Sequence, residues 1–211
     1  SCLKGQTLYI SKKQKMDAVY DAFKPSFTTH HNKKHIEVEF RLGKINGNRF
    51  DPDIGKKPFD CVMESLVQYK GWESVENSEY DVYNGPENFR TLIDESKGTR
   101  TSMIKKKLIN KNFKTSGLAY DVRMSIATEN PKDETGEEVY ETIFHKNRRS
   151  FVRKGLRIDM TKTSGEADDI DAENATSYQV ELEIIDPNGT NDKTQLRNHV
   201  QKIGDILKCF T

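Results

Sequence analysis

Long apolar runs are missing from this chain, and with them any segment able to span a bilayer as a helix. Cysteine is scarce: Cys2, Cys61 and Cys209 are odd in number, far apart and without a Cys-x-x-Cys pair, so ordinary thiols of a reducing, intracellular compartment are expected. No glycine-rich loop of P-loop type occurs, and no Cys-x5-Arg signature, which excludes two common phosphate-hydrolysing chemistries. A dominant charge sign is lacking as well. With 34 Lys and Arg against 33 Asp and Glu the formal net charge is +1, so a nucleic-acid partner would have to be gripped locally rather than along a duplex. His30, His31 and His35 find no partner histidine or cysteine at zinc spacing. The opening Ser1-Cys2-Leu3 lacks both an initiating Met and a secretory h-region. Ser1 therefore reads as a cloning remnant, in which case the natural chain could continue beyond Thr211.

What is present suits one domain spanning 1–211, large enough to bury a real core. Only 34% of the residues are hydrophobic while 32% are charged, so much of the folded surface, inner or outer, must face something polar. Apolar stripes at helical spacing occur from Lys13 to Phe23, from Phe59 to Tyr69 and from Lys193 to Phe210. The remainder is strand-like. Segments near Glu73 to Asn84, Phe89 to Glu95, Arg100 to Asn112, Ala119 to Glu129, Val139 to Lys146, Arg148 to Arg153, Leu156 to Lys162 and Ser177 to Ile185 are separated by turn signals. Two stretches, Asn130 to Glu138 and the acidic Ser164 to Thr176, read as solvated loops. Eight or nine antiparallel strands with few helices predict an α+β, mainly antiparallel β architecture, either a sandwich or a closed barrel. The polar strand faces favour a barrel with a hydrophilic lumen.

Two alternating runs carry most of the chemistry. His35-Ile36-Glu37-Val38-Glu39-Phe40-Arg41 lies near the start and Tyr178-Gln179-Val180-Glu181-Leu182-Glu183-Ile184 near the end. Alternation in a strand places Glu37 with Glu39, and Glu181 with Glu183, on one face roughly 7 Å apart. Taken singly, either motif also describes a strand with one wet face. Together, four carboxylates on one surface repel each other and take up protons unless a divalent cation or a set of Lys and Arg neutralises them. The middle strands supply such bases. Arg123 shares a face with Ser125, Ala127 and Glu129, Lys146 with Arg148 and Ser150, and Arg157 with Asp159 and Thr161. Bases gripping phosphoryl oxygens opposite acids that hold a bridging cation describe a site for phosphoryl transfer from a triphosphate.

Five motifs, in order, resemble those of the triphosphate tunnel metalloenzymes, in the messenger RNA capping triphosphatase branch of fungi, protozoa and large DNA viruses. They are Glu37-Val38-Glu39-Phe40-Arg41, Tyr120-Asp121-Val122-Arg123-Met124-Ser125-Ile126 leading to Glu129, Lys146-Asn147-Arg148-Arg149-Ser150-Phe151, Ile158-Asp159-Met160-Thr161 and Val180-Glu181-Leu182-Glu183. The Lys- and Asn-rich composition is similar to that of giant-virus members. The resemblance implies a closed eight-stranded tunnel with a few helices outside, acting as a metal-dependent RNA 5′-triphosphatase that also hydrolyses nucleoside triphosphates. It implies that Glu37, Glu39 and Glu183 bind Mg²⁺ or Mn²⁺ and that Glu181 holds a metal-bound water. Arg41, Arg90, Lys106, Arg123, Lys146 and Arg148 would contact phosphate, Glu129 would position the attacking water, and Asp159 and Thr161 would support the basic side chains. A guanylyltransferase domain in the same polypeptide is an implied partner, with host cytoplasm or virion as the location if the protein is viral. Gln179 departs from the pattern, standing where fungal members usually carry a third glutamate. In the Lys105-Lys106-Lys107 run, a one-residue shift would turn a neighbour of Lys106 inward instead. Other readings are a thiamine triphosphatase or tripolyphosphatase on the same fold, a non-catalytic polyphosphate- or RNA-end-binding module, and a plain sandwich with wet strand faces.

Overall fold

In a computed structural model, which describes residues 11–166, 176–190 and 192–210, the strand-forming text closes into a barrel. The strands are β1 (Ile36–Asn46), β2 (Arg49–Asp51), β3 (Ser74–Asn84), β4 (Phe89–Asp94), β5 (Thr99–Phe113), β6 (Asp121–Pro131), β7 (Thr142–Arg153), β8 (Leu156–Glu166) and β9 (Thr176–Ile184). Their order is β2-β1-β6-β5-β4-β3-β7-β8-β9, and a further β1 to β9 pairing joins the ends, so eight antiparallel strands form a closed ring. Closure leaves no unpaired edge in that ring. β2 is a short flap folded back on β1 across the two-residue turn Gly47-Asn48, where the glycine supplies a positive φ.

Alternation sorts each strand into two environments. One face carries Val38, Phe40 and Leu42 of β1, Val122, Met124 and Ile126 of β6, Ile158 and Met160 of β8, and Val180, Leu182 and Ile184 of β9, all of them buried. These outward-facing residues meet three helices, α1 (Lys12–His30), α2 (Lys56–Gln68) and α3 (Lys193–Leu207). The core therefore lies between barrel wall and helices, and each large apolar side chain it buries contributes about 1.5–3 kcal/mol. Helix ends are secured locally: Ser11 and Gln14 form a reciprocal capping box, and Asp192 accepts from the Thr194 amide at 2.8 Å. At the α1 to α3 crossing, a side chain at Gly204 would come 2.9 Å from Met16 Cγ, so the close approach requires glycine there.

Two elements differ from expectation. α1 continues past Pro25 to His30, because Phe27 beyond the proline packs on Phe23 with ring centroids 5.4 Å apart and is itself buried. That burial outweighs the one backbone donor Pro25 removes. The segments expected on either side of Asn147 are one strand, β7, paired along its whole length with β3. The stretch Asn130 to Glu138 leaves β6 as an exposed loop, as expected, but one that is anchored: Glu134 receives two hydrogen bonds from Arg100, each 2.6 Å, and one of 2.8 Å from Tyr140. The centre of the expected acidic loop, 167–175, lies outside the described residues.

Candidate active site within the barrel lumen

The polar faces of β1, β6, β8 and β9, and most of that of β7, line the lumen. On β1 these are Glu37, Glu39 and Arg41, paired in register with Ala127, Ser125 and Arg123 of β6 on one side. On the other side Glu39 stands opposite Glu183 and Arg41 opposite Glu181 of β9. The first and last acidic pairs, far apart in sequence, are thus lattice neighbours because the barrel closes between them. Across β8, Arg157 pairs with Glu183 and Asp159 with Glu181. On β7, Ser150 is opposite Asp159 and Arg148 opposite Thr161.

Short contacts join the acids to the bases. Arg41 Nη2 lies 3.2 Å from Glu39 and 2.7 Å from Glu181. Arg148 reaches Glu181 at 3.4 Å and Asp159 at 3.6 Å while its Nε donates to Thr161 at 2.9 Å. Arg157 bridges Asp159, at 3.0 Å, and Glu183. Ser150 donates to Asp159 at 2.6 Å, and Lys105 Nζ lies 2.6 Å from Glu37. Asp159 and Glu181 are 1% and 4% exposed, so these pairs sit where charge is weakly screened.

The acids divide into two kinds. Burial opposes ionisation of Glu181, but Arg41, then Arg148 and Lys146, hold its carboxyl well below the usual range. Its neighbour Glu39 is driven the other way by burial and by the Glu181 charge. Glu37 is pushed up to about 7 by burial and by a hydrogen bond shared with Glu129, against the pull of Lys105. Glu183 rises to about 7 by burial, with Arg157 opposing and the Glu37 and Asp159 charges adding to the rise. Three lumen carboxyls thus have less positive charge around them than their ionised forms need. Among the bases, burial and the neighbouring Arg148, Arg41 and Arg90 bring Lys146 down to about 8, with Glu181 opposing. Burial and then Arg123 and Arg90 lower Lys107.

The donor set fits a hard divalent cation in its chemistry: carboxylate oxygens only, on the adjacent strands β1 and β9, largely screened from solvent and short of counter-charge. Glu37, Glu39 and Glu183 are each turned onto a basic partner, and among the described residues no three His, Cys, Asp or Glu side chains converge on one point. An ion would take the place of those partners.

Residues 72–211 match the family model described as mRNA capping enzyme, beta chain. The chain belongs to that family. The matched span begins after β1, so Glu37 and Glu39 lie outside it and meet it through the pairing of β1 with β6 and β9. The mRNA-capping enzyme subunit beta of Yarrowia lipolytica is 28% identical over 82% of this chain and 54% of that protein; the chain spans about half the length of this curated relative. Among solved structures, the Schizosaccharomyces pombe Pct1 RNA triphosphatase superposes with a TM-score of 0.69 at 18% identity, covering 90% of this chain and 83% of that one. The RNA triphosphatase domain of the mimivirus capping enzyme gives 0.62 at 17%, covering 91% and 98%. At these identities the structural likeness shows the tunnel fold.

Within this capping-enzyme family chain, the lumen brings together Glu37, Glu39, Arg41, Arg123, Glu129, Lys146, Arg148, Asp159, Thr161, Glu181 and Glu183. Arg90 shares the field of Lys107 and Lys146 from β4. Arg123 is held at the end of the barrel beside β2, its guanidinium 4.6 Å from the Phe50 ring centroid and its Nε donating to Asn112 at 2.8 Å. Lys106 is a correction. It pairs with Thr128 and is exposed, whereas Lys105 and Lys107 stand opposite Glu129 and Ala127 on the lumen face. Arg157 was legible as a face-mate of Asp159 yet was given no role, although it neutralises both Asp159 and Glu183. Gln179 accepts a long 3.4 Å bond from Arg41 and adds no charge.

Proposed function

We propose that this chain is the tunnel domain of an RNA 5′-triphosphatase, removing the γ-phosphate from a triphosphate-ended RNA to leave a diphosphate end, and that it also hydrolyses nucleoside triphosphates. The observation that carries the reading is one closed lumen in which Arg41, Lys105, Lys146, Arg148 and Arg157 surround three carboxyls whose protonation is raised by burial and mutual repulsion. Triphosphatases of this family are metal-dependent in general, and Mg²⁺ or Mn²⁺ is the ion this donor set favours.

Each residue then has a task. Glu37, Glu39 and Glu183 would hold the ion, which when bound neutralises charge on the phosphoryl oxygens. Arg123, Lys146, Arg148, Arg90 and Arg41 bind the phosphate chain, and Asp159 with Thr161 keeps Arg148 aimed. Glu129, beside Glu37 on the neighbouring strand, orients the attacking water and accepts its proton as the bond to the γ-phosphorus forms and the β–γ bridge breaks. Phosphoryl transfer needs positioning and charge neutralisation above all, and the enclosed lumen supplies both. Glu181, held charged by two arginines, organises Arg41 and Arg148. The domain would be one part of a longer capping enzyme, with a guanylyltransferase as its working partner. No helix among the described residues is long and apolar enough to cross a membrane.

The test is release of inorganic phosphate from triphosphate-ended RNA with and without chelator. Wild type should release phosphate only with Mg²⁺ or Mn²⁺, and Glu37→Ala and Glu183→Ala should each lower kcat at least about 100-fold, the scale of losing a principal electrostatic stabiliser. Full turnover in both variants, or turnover indifferent to chelator, would reject the assignment.

A further inference from the structure

One wall of the lumen is apolar, and the reading above gives it no task. Val82 of β3 is in register with Phe144 of β7 on one side and with Leu92 of β4 on the other, forming a row of three apolar side chains on the inner face. Val82 is buried, while Phe144 and Leu92 are half-buried. The Phe144 ring is accommodated by a lumen-face glycine. A side chain at Gly165, its register partner on β8, would come 2.5 Å from the ring, so an edge of the ring occupies the space that the glycine leaves open. Along β7 the inner-face neighbours of Phe144 are Thr142 and Lys146, and along β4 those of Leu92 are Arg90 and Asp94, so Lys146 and Arg90 stand one row to either side of the patch. Arg90 is among the cations that lower Lys146, so its charge is felt across the patch.

An apolar patch with a planar ring, flanked by two cations inside a polar tunnel, suits a ligand that joins a flat uncharged group to an anionic tail. We propose that Phe144, alongside Val82 and Leu92 on the wall, is the stacking surface for the terminal base of the nucleotide substrate, while Lys146 takes its phosphates. The proposal rests on the triphosphatase reading and adds a specificity residue to it. Stacking on an aromatic ring is tolerant of base identity, since every base presents a π-face. The surface therefore separates nucleotides from inorganic polyphosphate without choosing among bases.

Steady-state hydrolysis of ATP and of inorganic tripolyphosphate by wild type, Phe144→Ala and Phe144→Trp tests this. Phe144→Ala should raise KM for ATP by about tenfold, the scale of one lost base stack, and leave the tripolyphosphate parameters at wild-type values, with Phe144→Trp restoring the ATP value. Equal changes with both substrates, no change with either, or a Trp variant no better than Ala would overturn the stacking role. A wild-type protein that hydrolyses neither substrate would instead sink the triphosphatase reading, and the stacking proposal with it.

Discussion

Lys146 shows how much a single lumen residue depends on its surroundings. Burial and three nearby guanidinium groups bring its ammonium to about 8, so near neutral pH it sits close to losing its charge. An incoming phosphate favours the charged form and an empty site does not. KM for a triphosphate substrate should therefore climb as pH rises through about 8. In Lys146→Arg the climb should vanish, because guanidinium stays charged throughout. A pH series of KM for both proteins checks this, and an identical rise in the Arg variant would assign the titration to another group. The fate of each glutamate is likewise decided by its neighbours: Glu181 has two arginines and keeps its charge, while Glu183 has one and is pushed up to about 7. Sequence placed both acids on one strand face, yet nothing in Glu-x-Glu distinguishes them. The difference comes from which bases the barrel delivers.

Register is the property of the elements on which site assignment turns. The period-two pattern of β1, β6 and β9 was legible because buried Val, Phe, Met, Ile and Leu alternate with the polar set, so one face could be read from the other. β5 offered no such contrast, since Lys105, Lys106 and Lys107 are consecutive, and its irregularity between Lys107 and Ile109 breaks counting from the far end. That is why Lys106 was assigned inward when it points out. The same logic explains β7, where Asn147 resembles a turn residue but faces outward from a strand paired on both sides. The loop at Glu134 is legible in the sequence but its anchoring is not, because the partner, Arg100, is 34 residues away. A paired substitution tests the register. Lys106→Ala should leave phosphate release within about twofold of wild type and stability within about 0.5 kcal/mol, as at exposed positions generally. Lys105→Ala removes the partner of Glu37, and its turnover should fall at least about tenfold. Equal effects of the two would mean that the strand is set one residue away.

For the molecule as a whole, the lumen carboxyls tie stability to pH and to metal. Glu37 and Glu183 titrate at about 7 in the fold and at an ordinary 4.5 without it, so between those values the folded state binds more protons than the unfolded chain. Stability should then be highest near and below pH 4.5 as far as these groups are concerned, fall as pH rises toward 7, and level off above it. A divalent cation supplies the missing charge, so Mg²⁺ or Mn²⁺ should raise Tm at pH 8 and lose that effect by pH 5, where the carboxyls are protonated. Thermal melts across this range with and without metal check the sign, and a metal effect that is constant with pH would place the ion elsewhere. The central claim is that the acids of the first and last strands, joined by barrel closure, form one cation site facing the phosphate-binding bases. Crystals soaked in Mn²⁺ with tripolyphosphate and measured for anomalous scattering test it most directly. The account predicts a manganese peak among Glu37, Glu39 and Glu183 with phosphate density against Lys146 and Arg148; a peak outside the lumen, or phosphate bound away from those bases, would contradict it.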